Sequence, residues 1–458
     1  MTRSTLAKAG AVLALAALVA LALKPKAAPP DDATPRTPAA PSVAEDERFG
    51  DLYGRVTTYG GTVYEGPLRF GGGEETFWNH TFNGVKNETR WADSAAVGQP
   101  AVARRPRLFG IELPWGAPEA DLRRPFMARF GDIVRIEARG DGVQGVLQDG
   151  AAFSPDVLVT LKSGTVAVLD RLSSSDFDDG VRVWDARGVV DLGPRQIRAV
   201  DMLQNPRTDA DSDQLYGTVQ TRHGAFTGFL QWDRKESLGR DRFVGRTAEG
   251  DLILRFDALQ SITRVEGGAR VTTHDGGDVV LSGNHKVGPG NRGVYVDDPR
   301  YGRVLVSWDA FERVDFSPPT GRPRSPSYRD FPPGRPLTGT VTTRDGRRLV
   351  GRLVYDLDES ETTETLDAPL RGVDYSVPFG RIASIALPGR GEPGRAVVTL
   401  TSGEQLQFER AGDLGAGTTG LLVVADRPER SEVVAWSDVA RIDFDAPPSA
   451  RSTQRRPR

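Results

Sequence analysis

Apolar and polar residues alternate strictly through short segments of this chain, and the same segments return three times. Leu52-Tyr-Gly-Arg-Val-Thr-Thr, Leu215-Tyr-Gly-Thr-Val-Gln-Thr and Leu337-Thr-Gly-Thr-Val-Thr-Thr each open a unit. A glycine turn follows each, at Gly60-Gly61, His223-Gly224 or Asp345-Gly346. Then come Gly66-x-Leu68-x-Phe70, Gly228-x-Leu230-x-Trp232 and Gly351-x-Leu353-x-Tyr355. Period-two alternation puts the leucine and the aromatic ring on one face of a strand and the residues between them on the other. The pattern predicts one β-hairpin, written three times.

Downstream, Phe130-x-x-Ile133-x-x-Ile136 matches Phe256-x-x-Leu259-x-x-Ile262 and Phe379-x-x-Ile382-x-x-Ile385. Three-residue spacing predicts a single 3₁₀ turn feeding a strand. A second half-unit begins at Val159-Thr-Leu-Lys-Ser-Gly164, Val271-Thr-Thr-His-Asp-Gly276 and Val398-Thr-Leu-Thr-Ser-Gly403. It closes at Ile197-x-x-Val200-Asp201-Met202, Phe311-x-x-Val314-Asp315-Phe316 and Val439-x-x-Ile442-Asp443-Phe444. Because the two half-units close alike, the expected fold is all-β: three tandem repeats, each of two small antiparallel barrels or half-barrels in series. A glycine-bounded meander of short strands, a 3₁₀ turn and a final strand resembles the SH3-like small-barrel architecture over most of 52–444. The resemblance implies that fold and carries no functional residues. One β-sandwich of about 100 residues per repeat is the alternative that the same strand count allows. Asp201, Asp315 and Asp443 alternate with apolar neighbours and are expected to point outward, charging a terminal strand against edge pairing.

The repeats are assigned to 48–204, 215–316 and 337–445. Asn205-Pro206 to Gln214 and the Pro/Arg-rich linker 317–336 separate them, since proline lacks the amide hydrogen a central strand needs. The basic stretch 446–458 is read as a frayed tail.

Composition agrees with this layout. The 458 residues suffice for about three domains. A hydrophobic content of 38% with 52 Gly and 32 Pro fits strands and turns better than helix. A net charge of −3 gives no electrostatic ground for nucleic acid, so none is expected as a partner. The chain has no cysteine, which excludes disulfides, thiolate nucleophiles and thiolate metal sites.

Arg3 and Lys8 lead an uncharged apolar run, Ala9 to Leu23, the layout of a signal peptide or signal anchor over 1–23. As a helix the run spans only ~22 Å at ~1.5 Å per residue, short of the ~30 Å hydrocarbon core, which favours cleavage. Against cleavage, Ala20-Leu21-Ala22 has no polar region before it, which favours a single N-terminal membrane anchor. The Ala/Pro-rich stretch 24–47 is a spacer. Both readings deliver the chain to the periplasm or cell envelope.

Two features carry candidate chemistry. Repeats two and three place 24 positions between the hairpin aromatic and the next phenylalanine, and repeat one places 60, an insertion of 36 residues. Long insertions in compact units are commonly functional. The ligand-binding candidates here are Phe77, Trp78, Phe82, Trp91, Arg105 and Trp115: flat rings stack on sugar or peptide, and arginine supplies forked donors. The competing reading is a satellite core beneath the insertion.

The second feature is acidic. Four positions past the hairpin aromatic stand Glu74, Glu236 and Glu359, with Asp233, Asp241, Asp356, Asp358 and Glu361 nearby. Paired carboxylates suit glycoside hydrolysis, but no fixed acid/base pair is discernible, and solvated turn tips are the expected role. His80, His223, His274 and His285 form no His-x-x-x-His or triad pattern. Neither a metal site nor a cofactor is expected. The sequence therefore points to a non-enzymatic binding or scaffold protein of the cell envelope, with an envelope protein or glycan as partner. A carboxylate-based glycan hydrolase and a nucleic-acid-binding small-barrel array are the alternatives.

Overall fold

The computed structural model describes residues 51–71, 75–86, 124–139, 156–169, 175–206, 213–318, 322–389, 394–425 and 431–446, with isolated strand pieces between 103 and 153. The leader, the spacer and the tail beyond residue 446 lie outside the described residues.

Repeat one contributes ten strands: β1 (Tyr53–Thr58), β2 (Val63–Phe70), β3 (Thr81–Lys86), β4 (Arg124–Arg129), β5 (Ile133–Ala138), β6 (Val157–Leu161), β7 (Val166–Leu169), β8 (Val181–Asp185), β9 (Gly188–Leu192) and β10 (Ile197–Met202). Repeats two and three carry the same ten in the same order, from Tyr216–Thr221 to Phe311–Phe316 and from Thr338–Thr343 to Val439–Phe444. The expected 3₁₀ turn stands between β4 and β5 each time, at Phe130–Asp132, Phe256–Ala258 and Phe379–Arg381.

The sheets are antiparallel. In repeat one the strand order is β9-β8-β2-β1-β10-β5-β6-β7-β3-β4, and repeat two has the same order. Repeat three keeps the eight strands from β9 to β7 but sends its β3–β4 hairpin (Thr365–Leu370 and Val373–Pro378) onto β9 of repeat two (Gly302–Val306). There Arg303 faces Ser376 and Val306 faces Val373. The result is three sheets of ten, twelve and eight strands.

This order corrects the expectation of two half-units in series. β10, the last strand in sequence, lies between β1 and β5, so both halves of a repeat share one sheet. No closed barrel occurs among the described strands. Asp201, Asp315 and Asp443 thus sit on an inner strand and not on an edge. Arg135, Arg313 and Arg441 meet them at 2.5, 2.6 and 2.7 Å.

The recurring glycines explain how the neighbouring strands fit. Gly54 pairs across the hairpin with Gly66, Gly217 with Gly228, and Gly339 with Gly351. A Cβ on Gly66 would lie 1.9 Å from the Trp184 carbonyl oxygen, and one on Gly54 would lie 2.5 Å from that of Asp201. Only glycine admits such backbone approach.

Phe70, Phe82 and Phe130 pack together with centroids 4.8–6.3 Å apart inside repeat one. Burial of each such ring contributes about 1.5–3 kcal/mol. Phe331, from the linker between repeats two and three, joins this core. A Cβ on Gly131 would overlap its ring at 2.3 Å. The linker is therefore part of the packed body.

The structure also locates the insertion. Lys86 pairs with Arg124 at the end of the β3–β4 ribbon, where repeat two turns through Ala248 and Glu249 alone. All but one of the 36 extra residues thus sit at that tip, within 87–123. The remaining one follows Phe70.

Candidate functional site

The turn from β2 to β3 is the same device in all three repeats. Phe70 bridges to Glu75, Trp232 to Glu236 and Tyr355 to Glu359. The next residue's carbonyl accepts the amide that opens the repeat: Thr76 from Leu52, Ser237 from Leu215, Ser360 from Leu337. Glu74, four positions past the aromatic, lies outside the described residues; the equivalent residue is Glu75, because repeat one has one more residue here. In repeats two and three the turn needs two successive residues with positive φ, Asp233 and Arg234, then Asp356 and Leu357. A third side chain holds each turn. Thr76 donates its amide to His80 Nδ1 at 3.2 Å, Ser237 donates to Asp241 at 2.9 Å, and Ser360 donates to Glu364 at 2.6 Å.

These acidic turns are not the solvated tips the sequence suggested. Glu75, Asp233, Glu236, Asp358 and Glu361 are all buried. Charges are buried only when they are paired, and the partners come from distant parts of the chain. Lys86 of repeat one lies 2.7 Å from Asp358 and 3.6 Å from Glu364 of repeat three. Burial pulls its ammonium down, and Asp358, Glu364 and Glu359 outweigh that to hold it above the usual lysine range. Thr165 donates to Glu361, and Lys286 pairs with Glu236 inside repeat two.

The candidate binding residues divide in two. Phe77, Trp78 and Phe82 are 1%, 1% and 0% exposed, so they are packed rings and present no stacking face. They belong to the repeat frame and not to the insertion; Phe82 stands where repeats two and three have the buried Phe243 and Leu366. The recurring Phe-x-Gly at Phe82 and Phe243 signals this equivalence. Trp91, Arg105 and Trp115 lie outside the described residues.

The Glu75 turn faces repeat two through buried polar contacts. Asn79 donates to Asp297 at 2.6 Å and accepts from Gln214, which accepts in turn from Ser325 of the linker. Arg303 donates to Asp297 at 3.0 Å and to Thr81 at 3.1 Å. Burial pushes the Glu75 carboxyl up to about 7, against the pull of the Arg303 guanidinium. Burial, joined by Arg303, depresses the His80 imidazole to about 3. Glu75 Oε2 lies 3.0 Å from His80 Nδ1, whose lone pair already accepts the Thr76 amide; with the carboxyl held protonated and the ring neutral, the two meet as an uncharged pair and not as an ion pair.

Beside this network opens a cavity of about 280 Å³, for which no segment of the chain carries a local signal. Asn79, Met127 and Arg129 of repeat one line it, with Phe229, Asp297 and Arg303 of repeat two, Ser376 and Arg381 of repeat three, and Pro323 and Phe331 of the linker. Its residues come from segments up to about 300 positions apart, and its wall includes the shared sheet edge where Arg303 faces Ser376. Mostly apolar walls with a few convergent polar groups are the usual make-up of a small-molecule site. Among the described residues, no cluster of His, Asp and Glu has the arrangement of a metal site. No family model, curated protein or solved structure matches this chain.

Proposed function

We propose that this chain is a non-catalytic, exported binding protein of the cell envelope whose three β repeats hold one small-molecule cavity between them. The observation that carries the reading is the cavity wall, built jointly by all three repeats and the linker. A scaffold of independent modules needs no such shared space. The exchanged hairpin and the interrepeat ion pairs fix the walls before any ligand arrives, which lowers the ordering cost of binding. The glutamates of the acidic turns lie elsewhere: Glu236 is held by Lys286, Glu75 lies against His80, and neither lines the cavity, whose own carboxylates Asp297 and Asp298 are paired with Arg303 and Arg300. The apolar run from Ala9 to Leu23 supports export.

The test uses a compact neutral probe, 2-naphthylmethanol, titrated by fluorescence against the full chain. Saturable binding that disappears in Ser376→Trp, whose indole fills the cavity, is the expected result. Binding that survives this substitution in a folded variant overturns the proposal, and so does a wild-type chain that binds neither this probe nor its carboxylate counterpart, 2-naphthoate.

A further inference from the structure

The arginines around the cavity are not equivalent. Arg129 is paired with Asp132 at 2.7 Å, and Arg303 with Asp297 at 3.0 Å. Asp298, the other carboxylate of the wall, is paired with Arg300 at 2.7 Å and also accepts the Thr227 amide. Arg381 forms no ion pair among the described residues. Its Nη1 donates to the backbone carbonyls of Asp298 and Pro299, at 3.3 and 2.5 Å, and the rest of the guanidinium makes no hydrogen bond among the described residues.

The position of Arg381 makes this informative. It ends the 3₁₀ turn Phe379-Gly380-Arg381, and the matching turn of repeat one, Phe130-Gly131-Asp132, ends in the carboxylate that neutralises Arg129. Repeat three thus offers a cation where repeat one offers an anion. Burial and the Arg129 charge work against the Arg381 guanidinium and outweigh the pull of Asp298 and Asp297, and a cation so placed is stabilised further by an anion that enters the cavity.

Resting on the cavity being a binding site, we propose that it takes a small molecule with a compact apolar body and one carboxylate, sulfonate or phosphate group, and that Arg381 receives the anionic group. Met127, Phe229 and Phe331 supply the apolar contact. The guanidinium fork matches a planar or tetrahedral oxyanion through two parallel donors.

The experiment compares 2-naphthoate with the neutral 2-naphthylmethanol, by calorimetry on the full chain at low ionic strength. Wild type is expected to bind the carboxylate at least about tenfold more tightly, the scale of one charged hydrogen-bonded contact. Arg381→Gln is expected to abolish that preference, so that the two probes bind alike, and Arg381→Lys to keep part of it. Equal wild-type affinities for the two probes overturn the inference and leave the cavity reading intact. A preference that persists in a folded Arg381→Gln does the same. If neither probe binds wild type, both readings fall together. The wild-type comparison requires no variant, so it decides the matter even where Arg381→Gln fails to fold.

Discussion

The hydroxyls of Thr76 in repeat one and Ser237 in repeat two, which hold the same place in their repeats, meet at 3.3 Å in a buried setting. Like positions touch only where the two repeats present the same turn to each other. The contact therefore couples the stability of one repeat to its neighbour. Thr76→Val and Ser237→Ala are each expected to cost about 0.5–1.5 kcal/mol, and the double variant less than their sum, because removing both partners leaves no orphaned hydroxyl. Urea denaturation of the four chains measures the coupling. Strict additivity would show that the contact contributes nothing.

Lys86 joins repeat one to the acidic turn of repeat three, with side chains only 12% exposed at Lys86 and 3% at Asp358. Lys86→Met keeps the aliphatic stem and strands Asp358 beside Glu364 and Glu359. Breaking a buried pair from one side costs about 3–5 kcal/mol, whereas replacing both partners by apolar groups is close to neutral. Lys86→Met should lower stability by that amount, and adding Asp358→Leu should recover much of it. A single variant as stable as wild type would sink this account.

Those two contacts mark where sequence reading ends. The repeats were legible because Trp232 and Phe256 recur with the same 24-position spacing as Tyr355 and Phe379, and a period in apolar positions is a local signal. The pairing of β1 with β10 was not legible, since Gly54 and Met202 lie far apart in sequence and nothing in either strand names its partner. The same holds for the acidic turns. Charge alone reads as exposure, and the residues that make burial tolerable, Lys86 for Asp358 and Thr165 for Glu361, belong to another repeat. The cavity is a product of assembly, so no single segment encodes it. A difference of 60 against 24 positions gives the length of an insertion and not the point where it begins, so Phe77, Trp78 and Phe82, which precede its start after Lys86, read as part of it.

Glu75 and His80 give stability a distinctive pH profile. Glu75, raised from 4.5 to about 7 by burial, stays protonated in the folded chain across that window while the unfolded chain has lost the proton, so its contribution falls as pH rises. His80, lowered from 6.5 to about 3, stays neutral in the folded chain while the unfolded chain binds a proton, so its contribution rises with pH. The two slopes oppose each other between about pH 4.5 and 6.5. Glu75→Gln removes only the first. Relative to wild type it should gain stability from pH 4.5 to 7, by about 3 kcal/mol in total, and then hold level. Denaturation midpoints at several pH values measure the difference, and a difference flat across that range would refute the assignment.

The insertion should be removable at its tip but not as a block. Lys86 pairs with Arg124 in the register that Thr247 and Gly250 hold in repeat two, so the ribbon already ends where a two-residue turn fits. Replacing 87–123 with Ala-Glu, the turn of repeat two, keeps Phe82 and Phe126 in the core and Lys86 on Asp358. It also shortens the loop, which favours folding slightly, since closure entropy changes by only ~0.6 kcal/mol per doubling of length. This chain should unfold cooperatively within a few degrees of wild type. Exchanging all of 74–127 for 236–253 is a different matter. That exchange removes Trp78, whose ring packs on Tyr328 of the linker at 4.7 Å, and Asn79, which donates to Asp297. It also replaces Lys86 with a threonine, leaving Asp358 without its cation. The block exchange should therefore lose several kcal/mol that the tip deletion retains. Thermal unfolding of the two chains side by side is the measurement. Equal stability would mean that 75–86 does not join repeat one to its neighbours, and an unfolded tip deletion would mean that 87–123 is itself part of the core.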